Sequence, residues 1–366
     1  MSATIRILLV DDSAVIRRLL TDVLSGDPAL EVADSAANGR IALTKLPVVK
    51  PDIVILDVEM PEMDGLETLA EIRKRQPRLP VIMFSSITER GAAVTLEALA
   101  LGANDYVTKP SNTGNMTVAL QRVRDELIPR IKAFCRARLT PATTSAPPDR
   151  PIAPRPAFRP EPAASFPVAP RVRQRVDVVA IGISTGGPNA LAALLPQLPA
   201  NFPTPILIVQ HMPPIFTRLL AERLAAQSTL AIVEGAAGDV LRPGQVWLAP
   251  GGLHMTLERQ GTQVRLQLNQ NPPENSCRPA VDVLFRSVAE IYRANALAVV
   301  MTGMGNDGLK GCETIRRAGG QILVQDEASS VVWGMPGFIA KAGLADGQIA
   351  LTQLAGEILT RVRTAR

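Results

Sequence analysis

Two groups of residues in this 366-residue sequence have types and spacing suited to chemistry. The first is Asp11 and Asp12 in "LLVDDS", Asp57 in "DIVILD", Ser85 or Ser86 in "PVIMFSS" and Lys109 in "DYVTK", each at the end of a short apolar run. Three carboxylates converging on one crevice repel each other unless a divalent cation neutralises them, and oxygen-only donors suit magnesium. A lysine and a hydroxyl beside them suit the oxygens of a phosphoryl group carried on a carboxylate. A single Asp at a strand end more commonly caps a helix. A whole set at successive strand ends points beyond capping.

The second group surrounds Ser184. The stretch "VVAIGISTGGPNAL", residues 178–191, reads as an apolar strand, a Gly-rich turn and the start of a helix. The dinucleotide pattern G-x-G-x-x-G needs glycine where Ser184 stands, and a P-loop needs Gly-Lys where this chain has Gly187-Pro188. Residues 182–186 instead match G-x-S-x-G, a sharp turn that lifts a serine hydroxyl above a sheet. The helix start offers backbone donors for an oxyanion, Thr185 N–H first. A serine hydroxyl needs a base, and the chain has two histidines, His211 and His254. His211 follows the buried run "PILIVQ", so it falls at the same sheet end as Ser184; His254, in "GGLHMTL", belongs to a hairpin region. The acid that orients the base should come from another strand end. Asp307, after "ALAVVMTGMGN", is favoured; Asp326, after "QILVQ", competes, and His254 and Asp282 rank lower. The order Ser184, His211, Asp307 differs from the Ser, acid, His order of α/β-hydrolases, so the same geometry would be reached separately.

These residues must be positioned by repeated strand–helix units. Apolar strands are predicted at 5–10, 31–36, 52–57, 80–85 and 105–109, with amphipathic helices such as "SAVIRRLLTDVLS" between them. That grammar predicts a parallel sheet covered on both faces. The second half repeats it, with strands at 177–183, 206–210, 297–302 and 321–325 and helices at 188–195, 215–227, 281–294 and 308–318. Between 230 and 270, "GQVWLAP", "HMTLER" and "TQVRLQL" alternate at period two around "RQGT", which predicts a hairpin excursion. Residues 141–170 hold ten prolines, a composition that favours extended chain and separates the halves.

Composition excludes several function classes. Three scattered cysteines, Cys135, Cys277 and Cys312, lack the paired spacing of a disulfide framework or a zinc site. Residues 130–175 carry ten Arg/Lys against Asp149 and Glu161, a local +8, so the chain's net +5 leaves −3 for the rest. With aromatics at 3%, a solvated basic linker is a better reading than a nucleic-acid surface. No run of eighteen apolar residues and no signal-peptide pattern occur, so a cytoplasmic location without membrane insertion is expected.

The first half resembles the response-regulator receiver domain through "LLVDDS", "DIVILDVEMPEMDGLE", "PVIMFSS" and "GANDYVTKP". The resemblance implies a flavodoxin-like, five-stranded parallel sheet. It implies Asp57 as phosphoryl acceptor from a histidine kinase, Mg2+ held by Asp11, Asp12, Asp57 and the carbonyl of Glu59, and Lys109 contacting the phosphoryl group. The switch hydroxyl falls on Ser85, with Ser86 the other candidate, and Tyr106 takes the place of the rotating aromatic. From about Val176 onward the chain resembles the catalytic domain of chemotaxis protein-glutamate methylesterases, through "AIGISTGGP", "IVQHMP", "LAPGGLHM", "RPAVDVLF" and "MTGMGNDG". That resemblance implies Ser184, His211 and Asp307 as the triad, and adds Met304 N–H to Thr185 N–H as the oxyanion pair, with no cofactor for the ester chemistry. Ala280 stands where a Ser is frequent in that family, with Cys277 nearby, and neither is expected to touch the chemistry.

The expected organisation is a receiver at 1–135, a Pro/Arg-rich linker at 136–175 and a doubly wound, mostly parallel α/β hydrolytic domain with a hairpin excursion at 176–366. The expected function is a phosphorylation-activated hydrolase, working through an acyl-enzyme. It would demethylate glutamate methyl esters, and deamidate glutamines, on methyl-accepting chemotaxis receptors. The alternative is a phospho-switched module that docks on receptor or kinase without catalysis.

Overall fold

The computed structural model describes residues 4–110, 116–135 and 175–363. The Pro/Arg-rich linker therefore lies outside the described residues except for Arg175. The first sheet is built from β1 (Ile5–Val10), β2 (Leu30–Ala36), β3 (Ile53–Asp57), β4 (Val81–Ser85) and β5 (Asp105–Thr108). All pairs are parallel, in the order β2-β1-β3-β4-β5. Helices α1 (Ala14–Ser25), α2 (Gly39–Val49), α3 (Gly65–Arg75), α4 (Glu89–Ala100) and α5 (Met116–Phe134) connect and follow the strands. Covered on both faces, β3 and β4 are buried at every position, which is why they read as unbroken apolar runs. Ser13, Asn38, Asp64 and Thr88 cap the first four helices through their side chains, so each strand ends at a set place and the helix begins at once. The strand order reverses between β1 and β3, and Asp11, Asp57, Ser85 and Lys109 all lie at the carboxyl ends around that reversal.

The second sheet runs through β6 (Val178–Ile183), β7 (Ile206–Gln210), β8 (Ala231–Glu234), β9 (Gln245–Leu248), β12 (Ala296–Val300), β13 (Gln321–Gln325) and β14 (Gly347–Ile349). It is parallel throughout, in the order β14-β13-β12-β6-β7-β9-β8. The helices are α6 (Gly187–Leu194), α7 (Phe216–Gln227), α8 (Val281–Tyr292), α9 (Leu309–Arg317), α10 (Met335–Lys341) and α11 (Leu351–Arg363). A separate hairpin, β10 (His254–Gln260) with β11 (Gln263–Asn269), closes through Gly261 and Thr262. One expectation is corrected here. "GQVWLAP" is no part of the hairpin: its strand β9 sits between β7 and β8 in the main sheet. Four residues carry too few positions for period-two alternation to be told from a buried run, and Trp247 is fully enclosed. The short strands β8 and β14 escaped the pattern for the same reason, as both lie at sheet edges with half-exposed residues.

The two sheets meet through helices. Receiver helix α4 packs on α6 and α7, and the buried core is continuous across the contact. At its centre the Tyr106 ring stacks on Phe216, centroids 4.8 Å apart and planes within 7°. Asn189 Nδ2 donates to the Ala103 carbonyl at 3.4 Å, Arg223 donates to the Leu96 carbonyl, and Arg218 pairs with Glu89. The receiver thus touches the helix that follows Ser184 and the helix that follows His211.

Gly182 sits where β6 passes under α8: a Cβ there would lie 2.4 Å from Val281 Cγ1. Gly182→Ala must displace α8 and is expected to destabilise the chain by about 1–3 kcal/mol, read as a lowered urea midpoint. An unchanged midpoint would show that strand and helix are not so close.

Candidate active site

The acidic cluster forms first. Ligand oxygens of Asp11, Asp12 and Asp57 lie within 4.8 Å of one another. Lys109 Nζ lies 2.7 Å from Asp57 and 2.9 Å from Asp11, on carboxylate oxygens that are otherwise buried and unpaired. Burial pushes the Asp57 carboxyl up to about 6; Lys109 opposes this and Asp11 adds to it. Burial alone would lower the Lys109 pKa, but the two carboxylates raise it. A crowded, all-oxygen set with one cation across it fits a divalent ion in its mouth. Ser85 Oγ is fully buried and hydrogen-bonded to Thr95 Oγ1 at 2.7 Å, whereas Ser86 Oγ lies at the surface near Thr88 and Glu59. Glu59 N–H donates to Asp57 Oδ1 at 3.3 Å, which holds the following loop against the acceptor.

At the second sheet, Ser184 leaves β6, His211 leaves β7, and Asp307 stands at the head of α9 after β12. These strands are neighbours in the order β12-β6-β7, so three side chains distant in sequence share one edge. The turn holding Ser184 is fixed from both sides. Gln210 Nε2 donates to the Ser184 carbonyl at 3.0 Å, and Thr302 Oγ1 donates to the Thr185 carbonyl at 2.9 Å. Gly186 has φ +75° with Val331 close by, so the position takes glycine. Gly303 lies against the serine: a Cβ there would be 2.8 Å from Ser184 Cβ, which brings Met304 beside it. Among the described residues, neither Thr185 N–H nor Met304 N–H has a protein partner.

Asp307 is 2% exposed and takes five hydrogen bonds. His211 Nε2 donates to Oδ2 at 2.7 Å, as does Val281 N–H. Asn275 Nδ2, Asp282 N–H and Gly308 N–H donate to Oδ1 at 2.8, 3.0 and 2.9 Å. Two of these donors open α8, whose N-cap Ala280 has no side chain to cap it, so Asp307 supplies the cap. Burial raises the Asp307 carboxyl, but His211 and the backbone donors outweigh it and hold it below the usual range. Burial likewise lowers His211, yet Asp307 and then Cys277 push it up to about 10. His211 Nε2 is committed to Asp307, so Nδ1 is the ring nitrogen left for other chemistry.

The competing residues have other tasks. His254 is buried, its Nε2 at 3.1 Å from the Pro272 carbonyl and its Nδ1 accepting from Ala280 N–H at 3.2 Å. Asp326 accepts from Ser329 N–H at 3.0 Å and turns the chain after β13. Asp282 accepts from Gly311 N–H at 2.7 Å and faces Asp307 through Asn275. Asn275 was not singled out in the sequence; "ENSC" marks a turn, and nothing local says what its amide reaches.

Fold and site together define a two-part α/β protein, a receiver joined to a hydrolytic domain. Residues 7–121 match the response regulator receiver domain family model, and residues 179–358 match the CheB methylesterase model. A Trichodesmium erythraeum (strain IMS101) protein named protein-glutamate methylesterase/protein-glutamine glutaminase is 52% identical, covering 98% of this chain and 99% of its own. One of the same name from Nocardioides sp. (strain ATCC BAA-499 / JS614) is 48% identical, covering 99% and 96%. The crystal structure of the Thermotoga maritima CheB methylesterase catalytic domain superposes with TM-score 0.50 at 41% identity, covering 50% of this chain and 97% of that one. The chain belongs to the protein-glutamate methylesterase/protein-glutamine glutaminase family, and its activity is that of a methylesterase and glutaminase carrying a receiver domain. No helix among the described residues is long and apolar enough to cross a membrane.

The His211–Asp307 pair has a measurable signature. A histidine raised above its ordinary 6.5 gives stability that is full below that value and lost as pH rises through about 10. Asp307, held low, loses its share only as pH falls through its own depressed pKa. Histidine NMR should show His211 protonated through neutral pH. Asp307→Asn should lower its midpoint. A midpoint near 6.5 in the unaltered chain contradicts this electrostatic account.

Proposed function

We propose that this enzyme hydrolyses glutamyl methyl esters, and deamidates glutamines, on the cytoplasmic helices of chemoreceptors through Ser184, His211 and Asp307, under control of phosphorylation at Asp57. The observation that carries the reading is the buried Asp307–His211 pair at 2.7 Å, on the sheet edge where β6 delivers Ser184. His211 Nδ1 takes the Ser184 proton as Oγ attacks the ester carbonyl carbon. Thr185 and Met304 N–H groups hold the resulting oxyanion. The C–O bond to methoxide breaks, the imidazolium protonates it, and methanol leaves an acyl-Ser184. Water, deprotonated by His211, attacks the acyl carbon; glutamate departs and Ser184 is restored. With glutamine the first leaving group is ammonia.

We take residues 1–135 as the receiver and 176–366 as the catalytic domain, joined by the 136–175 linker. A chemotaxis histidine kinase is the phosphoryl source, and Asp57 the acceptor. Asp11, Asp12, Asp57 and the Glu59 carbonyl would hold Mg2+, which supplies positive charge against the crowded carboxylates and the incoming phosphoryl oxygens. Lys109 is placed to pair with those oxygens, and Ser85 to turn from Thr95 toward them, with Tyr106 following. The support for this coupling is the Tyr106–Phe216 stack, one residue beyond β5's first position and at the start of α7. Tethering keeps the halves at high local concentration, so weak contacts suffice to cover the site.

Methanol release from methylated receptor should fall at least about a thousandfold in Ser184→Ala and His211→Ala, and less in Asp307→Asn. Because the base form of His211 is required, release in the unaltered enzyme should rise from neutral to alkaline pH. Full activity of Ser184→Ala would remove the triad reading. Phe216→Ala should raise activity without a phosphodonor; a basal rate equal to wild type would show that the stacked rings do not restrain the enzyme.

A further inference from the structure

The turn Glu274–Cys277 carries one polar side chain that the proposed chemistry does not use. Asn275 and Ser276 both have positive φ, 51° and 62°, and Glu274 and Cys277 exchange backbone hydrogen bonds at 3.1 and 2.9 Å. Two central residues in the left-handed region are the mark of a type I′ turn, where Asn is among the few tolerated side chains. Arg286 anchors the turn to α8 through paired bonds to Glu274 at 2.7 and 2.6 Å. The Asn275 amide reaches inward and divides its donors, 2.9 Å to Asp282 Oδ2 and 2.8 Å to Asp307 Oδ1. The two carboxylates are 1% and 2% exposed. Asp282 has no step in the proposed reaction, yet it presses like charge on Asp307, and one amide stands between them.

We propose that Asn275 is a positioning residue: its amide separates Asp282 from Asp307 and fixes the rotation of the carboxylate that holds His211. The inference rests on the reading of Asp307 as the acid of the triad. An amide suits this place because it donates to both carboxylates and adds no charge. Around it stand Asp282 and Asp307, His211 on the far oxygen, Cys277 beside His211, the Glu274–Arg286 pair, and Lys310 and Cys312 on α9. A fourth carboxylate, beside Asp282, Asp307 and Glu274, has only Arg286, Lys310 and His211 to offset it.

Two variants keep the turn. Asn275→Gly tolerates positive φ and removes the amide; Asn275→Asp tolerates it and replaces a donor by a carboxylate. Methanol release, urea midpoint and pH profile are measured for both in the full-length chain, with Asp307→Asn in parallel. Asn275→Gly should lower kcat about tenfold or more with KM little changed. Asn275→Asp should lose more at pH 8, and its activity relative to wild type should climb toward pH 6, as its carboxyl takes a proton and becomes a donor. Wild-type kcat in Asn275→Gly overturns the proposal, and so does a relative activity of Asn275→Asp that is flat with pH. If Asn275→Asp does not fold, Asn275→Gly decides. If Asp307→Asn is fully active, the triad reading fails and this inference falls with it; if Asp307→Asn is impaired and the Asn275 variants are not, only the positioning role is lost.

Discussion

Burying an ionised carboxylate costs several kcal/mol unless hydrogen bonds replace the water it loses. Asp307 is almost fully buried and meets this with five donors drawn from four places in the chain: His211, Asn275, the first turn of α8, and Gly308. Each donor is also a tie. The carboxylate caps α8, closes the turn at Asn275 onto it, and sets the imidazole that leaves β7. The catalytic half is therefore arranged around a charge that it must keep charged. That charge, in turn, makes His211 basic and, in the proposed mechanism, gives the serine turn its use.

The receiver is built on the opposite economy. Its carboxylates crowd together with Lys109 as their close cation, and burial holds the Asp57 carboxyl up rather than down. Such a cluster responds strongly to any charge that enters it. Ser85 lies at the end of β4, and Tyr106, near the start of β5, is already stacked on the first residue of α7. In the proposed coupling the signal travels a short distance through one ring pair. A tenfold gain in rate asks for only about 1.4 kcal/mol of preference between closed and open arrangements.

Much of this was legible in the sequence, for a physical reason. Buried parallel strands must be apolar and short, so "IRILLV", "DIVILD", "VVAIGI" and "PILIVQ" declare themselves, and polar residues just beyond them fall at one sheet edge. That rule picked out Asp11, Asp57, Ser184, His211 and Asp307 as candidates, and each lies at the carboxyl edge of its sheet. Residues acting through turns were not picked out by it. Asn275 reaches Asp307 because two consecutive residues adopt positive φ and the chain folds back, which neither periodicity nor local spacing encodes. The four-residue strand β9 was drawn into the hairpin because its alternation is too short to count. The stacking of Tyr106 in β5 on Phe216 in α7 has no local signal, since nothing near either residue in sequence names its partner in the other half.

The central claim is that the charge relation between Asp307 and His211 serves Ser184 as nucleophile. Rapid-quench mass spectrometry of the full-length enzyme, given a methyl-esterified receptor fragment and a phosphodonor, tests it most directly. The account predicts a burst of methanol matching the enzyme in amount, with the glutamyl group recovered on the peptide that carries Ser184. Methanol release without any covalent adduct, or an adduct on Cys277 instead, would contradict it.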